Sequence, residues 1–237
     1  MTAYMLMVLE DEAAHAALPA NAVAELIEKR VAFQDELRRA GVLKESGQLR
    51  PSKEGRRVRR AGGRLDVQRG PFVEEGKALG ADLWIEAASA EDAAKVAGAW
   101  PALEGDEVDV RPLMKGRLPE GALEKPGRIF ACAVLGNTAT EEEWVRVMDR
   151  IDAETQEAFP RDAILGGVRL RPPRMGRRVA TRPGQRASFD GPFLESKEVI
   201  GGLFFLRMAS IEDATRWTGE TRFVTHGALE VRERWRT

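Results

Sequence analysis

The chain has 237 residues, with 43% hydrophobic and 32% charged residues and a formal net charge of −1. That length holds one large core or two of about half the size. The composition excludes a disordered or fibrous chain, and the near-neutral charge gives no overall field toward nucleic acid or an anionic membrane. The single cysteine, Cys132, excludes an internal disulfide, and with two distant histidines, His15 and His226, it argues against a structural zinc site.

In chain order, the apolar run 1–9 has no basic leader and meets Glu10-Asp11-Glu12, which reads as a buried strand and not as a signal peptide. Pro19-Ala20-Asn21 opens a helix whose apolar positions are Val23, Leu26, Ile27, Val31, Phe33 and Leu37, stopped by Gly41. A basic segment turns at Gly62-Gly63, as a hairpin does. After Gly70-Pro71-Phe72, residues 80–88 read as a strand, and Ser89 with Asp92 as the capped start of a second helix. Residues 108–113 close this half as a strand.

The stretch 116–127, with Pro119 and Pro126, reads as a linker. The second half repeats the series. Its strand at 128–135 contains Cys132, read there as a small buried hydrophobe. A helix with Trp144, Val147, Met148 and Ile151 follows, then a basic hairpin at Pro183-Gly184, a strand at 201–208, Ser210 with Asp213, and a closing strand at 229–235. No apolar run reaches the ~18 residues of a membrane helix, so the expected location is cytoplasmic.

The halves match in register. Residues 48–111 laid over 169–232 without a gap give 21 identities in 64 positions, where chance gives about four. The expected domains are 1–115 and 128–237 around the linker 116–127. Each reads β-α-(β-hairpin)-β-α-β, a ferredoxin-like α+β sandwich with one uncovered sheet face. Two such modules on one chain can cover each other, which predicts an internal pseudo-dimer with a cleft where the sheets meet.

Asp190-Gly191-Pro192-Phe193-Leu194-Glu195-Ser196-Lys197-Glu198, followed by Gly201-Gly202 and Glu230-Val231-Arg232, resembles the YCII-related, or DGPF-domain, proteins. In the first half Arg69 replaces the motif aspartate, Gly76 stands at the lysine and Lys77 at the glutamate. The resemblance implies a dimeric α+β barrel fold. It implies little about activity: some related families are isomerases, dehalogenases or cofactor-free oxygenases of small cyclic or aromatic compounds. Smaller relatives carry a His–Asp pair, which the motifs here do not place. The resemblance also implies a sigma-factor regulatory setting.

The candidate catalytic residues are Asp190, Glu195 and Lys197, close enough for an ammonium to tune a carboxylate as a general base. Beside this stands a structural reading of the motif as a backbone turn, with Phe72 and Phe193 as core anchors. Candidate ligand-binding residues are Arg50, Arg171, Arg232 and His226, because arginine forks suit carboxylates. The arginine-rich hairpins, which include Arg57 and Arg178, also read as solvated edges, and His15 as an exposed loop residue. The expected function is a small-molecule-binding module for a small anionic or cyclic ligand. The alternative is an isomerase or lyase without cofactor or metal, with Asp190 or Glu195 as base. Nucleic-acid binding is not expected, and a further homodimer is left open.

Overall fold

The structure is a computed structural model that describes residues 1–72, 76–118, 122–123, 126–136, 146, 164–182, 185–190, 199–221, 224 and 227–235. It is a mixed α/β fold, rich in antiparallel strands and poor in helices. The first half runs β1 (Thr2–Glu10), α1 (Glu12–Ala16), α2 (Ala20–Arg39), β2 (Leu43–Gln48), β3 (Arg56–Ala61), β4 (Arg64–Arg69), β5 (Ala78–Ala87), α3 (Ala90–Ala99) and β6 (Glu107–Arg117). The second runs β7 (Arg128–Gly136), β8 (Ile164–Leu170), β9 (Arg177–Arg182), β10 (Gln185–Asp190), β11 (Val199–Met208), α4 (Ile211–Glu220) and β12 (Ala228–Glu233). The expected helix at Trp144–Ile151 lies outside the described residues.

The strands form two leaves, β2-β5-β1-β6-β9-β10 and β8-β11-β7-β12-β3-β4. The leaves join where Leu113 of β6 pairs with Leu170 of β8, and again where Leu49 bridges Arg234. Each leaf borrows a hairpin from the other half. Ala228, Leu229, Glu230 and Val231 of β12 face Arg59, Val58, Arg57 and Arg56 of β3. Glu107, Val108, Asp109 and Val110 of β6 face Ala180, Val179, Arg178 and Arg177 of β9. The two sets of pairs superpose under the 121-residue offset of the sequence repeat.

Strand alternation sorts the core into three layers. Tyr4, Leu6 and Val8 of β1 turn outward with Leu83 and Ile85, beneath Phe33, Leu37 and the alanines of α3. Met5 and Met7 turn inward and meet Ile129, Ala131, Leu203 and Phe205 from the other leaf. Phe130, Cys132, Phe204 and Leu206 turn outward beneath Ala214 and Trp217 of α4. Cys132 is fully buried, and burial pushes its thiol well above the usual range.

The local chemistry explains the boundaries. Gly62 and Gly63 both have positive φ, +56° and +78°, as a two-residue hairpin turn requires. Ser89 accepts from the N–H of Asp92 and Ser210 from that of Asp213, capping α3 and α4. Helix α2 departs from its expected stripe: Val23, Ile27 and Val31 are exposed, and the packed side carries Arg30 and Gln34 with Leu26, Phe33 and Leu37. Arg30 takes the buried side because Glu10 stands 2.8 Å away and the ring of Trp100 lies 5.0 Å beneath it. Trp235 is 47% exposed and stacks under Arg50.

Candidate functional site

At one end of the inward faces Arg234 lies over Phe205 and reaches buried Asp82 at 3.2 Å, beside a wide groove lined by Glu45, Trp84, Ile129 and Trp235. Burial raises the Asp82 carboxyl above its usual range against the pull of Arg234. At the other end the leaves part around a cavity of about 110 Å³. Its apolar walls are Met7, Leu9 and Leu79 from one leaf, and Ala133, Leu135, Val199 and Ile200 from the other.

Charged side chains rim this cavity in pairs related by the 121-residue offset. Arg57 reaches Glu230 at 2.9 Å, with its guanidinium 4.7 Å above the ring of Phe72. Arg178 holds Asp109 through Nε at 2.6 Å and Nη2 at 3.2 Å, and Lys77 contacts Glu107. Arg57 and Arg178 dock the inner strand of each arginine-rich hairpin onto a carboxylate of the strand it pairs with, while β4 stays largely exposed as an edge. Arg56 adds Glu212 at 3.2 Å, and Arg60 adds the carbonyl of Gly219.

Two buried arginines stand next to these pairs, and of the two Arg111 lines the cavity. The Nε of Arg232 donates to the Arg50 carbonyl at 2.9 Å, and its Nη1 donates to Glu230 at 3.0 Å. Its Nη2 lies 3.4 Å from Glu12, whose carboxylate also accepts from the backbone N–H and hydroxyl of Ser52. The Nε of Arg111 donates to the Arg171 carbonyl at 2.9 Å, and its Nη2 donates to the same oxygen. Both stems lie across a glycine: a Cβ at Gly55 would meet Arg232 Cδ at 2.6 Å, and one at Gly176 would meet Arg111 Cδ at 2.6 Å. This close approach is the physical reason those two glycines recur in the repeat.

Of the residues singled out by sequence, Arg50, Arg171 and Arg232 therefore converge on these cradles, Arg50 and Arg171 through their carbonyl oxygens. The guanidinium of Arg50 turns outward to Glu54 and Glu233. Asp190 ends β10 with its backbone opposite Arg177. Glu195, Lys197, His226 and Phe193 lie outside the described residues. Phe72 is buried, and its N–H donates to Ser52 Oγ at 3.1 Å.

Sequence reading passed over Asp109, Arg111 and Glu230 as site residues. The signal was the alternation of charged with apolar residues in Asp109-Val110-Arg111 and Glu230-Val231-Arg232, which puts every charge on one strand face.

His15 corrects the expectation of an exposed loop. It sits on α1 with Nε2 2.9 Å from Asp106, a carboxylate with no exposed side-chain surface. Asp106 also accepts from the N–H groups of Asp11 and Leu103. Glu10, His15 and Asp106 bring three ligand atoms within 4.8 Å of one another, but Glu10 already faces Arg30 and Asp106 is filled by its donors. A metal ion would have to compete with that guanidinium.

Burial and Arg30 pull the His15 pKa down, but the Asp106 hydrogen bond and the charges of Glu10 and Asp106 outweigh them and raise it above the ordinary 6.5. A raised folded pKa contributes stability that is fully present below the unfolded value and is lost as pH climbs through the folded one. Urea unfolding of wild type and His15→Asn is expected to differ most near about pH 5.5 and least near about pH 9. A difference that does not change with pH would contradict this assignment.

Among the described residues, no helix is long and apolar enough to cross a membrane. The fold and its cleft define a strand-rich α/β protein with a charged rim around an internal cavity. A comparison with known families finds a YCII-related domain over residues 123–236. No curated protein matches the chain.

Proposed function

We propose that the chain is a tandem of two YCII-related modules folded as an internal pseudo-dimer, and that it serves as a small-molecule-binding module with its ligand between the two leaves. The pseudo-dimer reading is supported by the equivalent registers of β12 on β3 and β6 on β9. The binding reading is carried by one observation: the two leaves part around a cavity that combines apolar walls with a rim of charged groups. Protein interiors rarely leave such space without use, and small-molecule sites combine apolar walls with a few placed polar groups.

The test is a thermal-shift screen of small cyclic and anionic compounds against wild type and Ala133→Leu, whose longer side chain fills the cavity. A ligand at about a hundred times its dissociation constant is expected to raise the wild-type midpoint by about 5–10 °C. Ala133→Leu is expected to fold and to lose that shift. A shift retained by the filled variant, or a screen without any shift in wild type, would sink the proposal.

A further inference from the structure

We propose that the cleft recognises its ligand through a carboxylate held by Arg111, in the position that Glu12 holds beside Arg232. This rests on reading the cleft as a ligand site and names what the site selects.

Two cradles are built alike and filled differently. Arg232 and Arg111 lie on the inward faces of β12 and β6, 121 residues apart, and are anchored on the carbonyls of Arg50 and Arg171, which are themselves 121 residues apart. Each is 2% exposed. Around Arg232 the charge is answered twice, by Glu230 at 3.0 Å and by Glu12 at 3.4 Å. Among the described residues, Arg111 has neither kind of partner. The residue matching Glu230 is Asp109, one methylene shorter and held by Arg178. The residue matching Ser52, which ties Glu12 down, is Pro173, which has no N–H to offer. Strand β7 pairs with β12 as β1 pairs with β6, Ala131 opposite Arg232 and Met5 opposite Arg111. Glu12 stands seven residues after Met5, and the residue seven after Ala131 in the sequence is Thr138, which lies outside the described residues.

The space follows the charge. The cavity is lined by Arg111 and Pro173, whereas Arg232 and Ser52 are not among its lining residues. Among the described residues its charged lining comprises the cations Arg57, Lys77, Arg111 and Arg178 and the anions Glu107, Asp109 and Glu230. Within that set Arg57, Lys77 and Arg178 each hold a carboxylate and Arg111 does not. Burial pushes its pKa down to about 10 against the pull of Asp109, so it stays charged at neutral pH. A buried guanidinium with two nitrogens on one carbonyl and, among the described residues, no ion pair favours an anion that can accept from its remaining donors. A carboxylate with a short apolar or cyclic body satisfies both Arg111 and the walls at Met7, Leu79 and Ala133.

The experiment is calorimetric titration of acetate, benzoate and cyclohexanecarboxylate, each beside its neutral amide, into wild type and Arg111→Gln. At least one acid is expected to bind wild type about 10- to 100-fold more tightly than its amide, and Arg111→Gln to bring that ratio to about one. If amides bind wild type as well as acids do, the carboxylate inference fails while the cleft remains a ligand site. If neither acids nor amides bind, both readings fail. Should Arg111→Gln not fold, the Arg111 side-chain Nε–H resonance in wild type decides: it must shift on adding the acid and stay still on adding the amide. A still resonance during acid binding overturns the inference.

Discussion

Arg232→Met is expected to cost about 3–5 kcal/mol of folding stability, and Arg111→Met at the equivalent position only about 1–2 kcal/mol. The side chains share geometry, burial and the carbonyl anchor, so the difference isolates what surrounds them. Removing the Arg232 guanidinium leaves Glu230 with Arg57 alone and leaves Glu12 inside the fold with only the Ser52 donors. Breaking a buried ion cluster by deleting one member strands the charges that remain, which is more costly than the net worth of the cluster. Removing the Arg111 guanidinium strands only the Arg171 carbonyl, because Asp109 keeps both of its bonds to Arg178. Urea denaturation of the two variants side by side measures the difference. Equal losses would mean that the two cradles are electrostatically alike, against the arrangement described above.

Gly70→Ala is expected to cost about 3 kcal/mol. A Cβ at Gly70 would lie 1.8 Å from the carbonyl oxygen of Ser52 and 3.0 Å from Lys53 Cα, all backbone. That backbone cannot give way cheaply. Ser52 is fully buried in a 3-10 turn over Ser52–Glu54, donates to Glu12 and receives the N–H of Phe72. Moving it would disturb both the Glu12 carboxylate and the Phe72 ring that Arg57 covers. A thermal midpoint unchanged from wild type would show that the turn is softer than its contacts imply. The glycine of the Gly-Pro-Phe motif in this half thus has a structural reason to be there, in line with reading the motif first as a shaper of backbone.

Much of the fold was legible because its signals are local. Ser89 and Ser210 announce the helices they cap, the Gly62-Gly63 turn announces its hairpin, and the apolar runs of β1, β5 and β11 and the alternation of β6 announce strands. The 121-residue offset also foretold which residues would occupy equivalent places, down to the glycines under Arg111 and Arg232. Strand β2 was missed, since Lys44-Glu45-Ser46-Gly47-Gln48 has no apolar alternation and is held by pairing with β5.

The site was less legible, because ion pairing depends on which strand faces which. Arg57 and Arg178 were noticed as recurring cations, yet nothing local to them says that Glu230 and Asp109 lie opposite, 173 and 69 residues away. Arg30 broke the apolar stripe of α2 for the same reason, and His15 looked like a loop residue until Asp106, 91 residues on, closed over it.

The sequence by itself determined most of the described strands and the helices that Ser89 and Ser210 cap, since propensity and capping are properties of neighbouring residues in the chain. Only the tertiary structure decided that Arg232 is answered by Glu12 and Glu230 while Arg111 faces an open cavity. Whether a buried charge is paired depends on groups brought close through space, and those distances exist only once the two leaves have met.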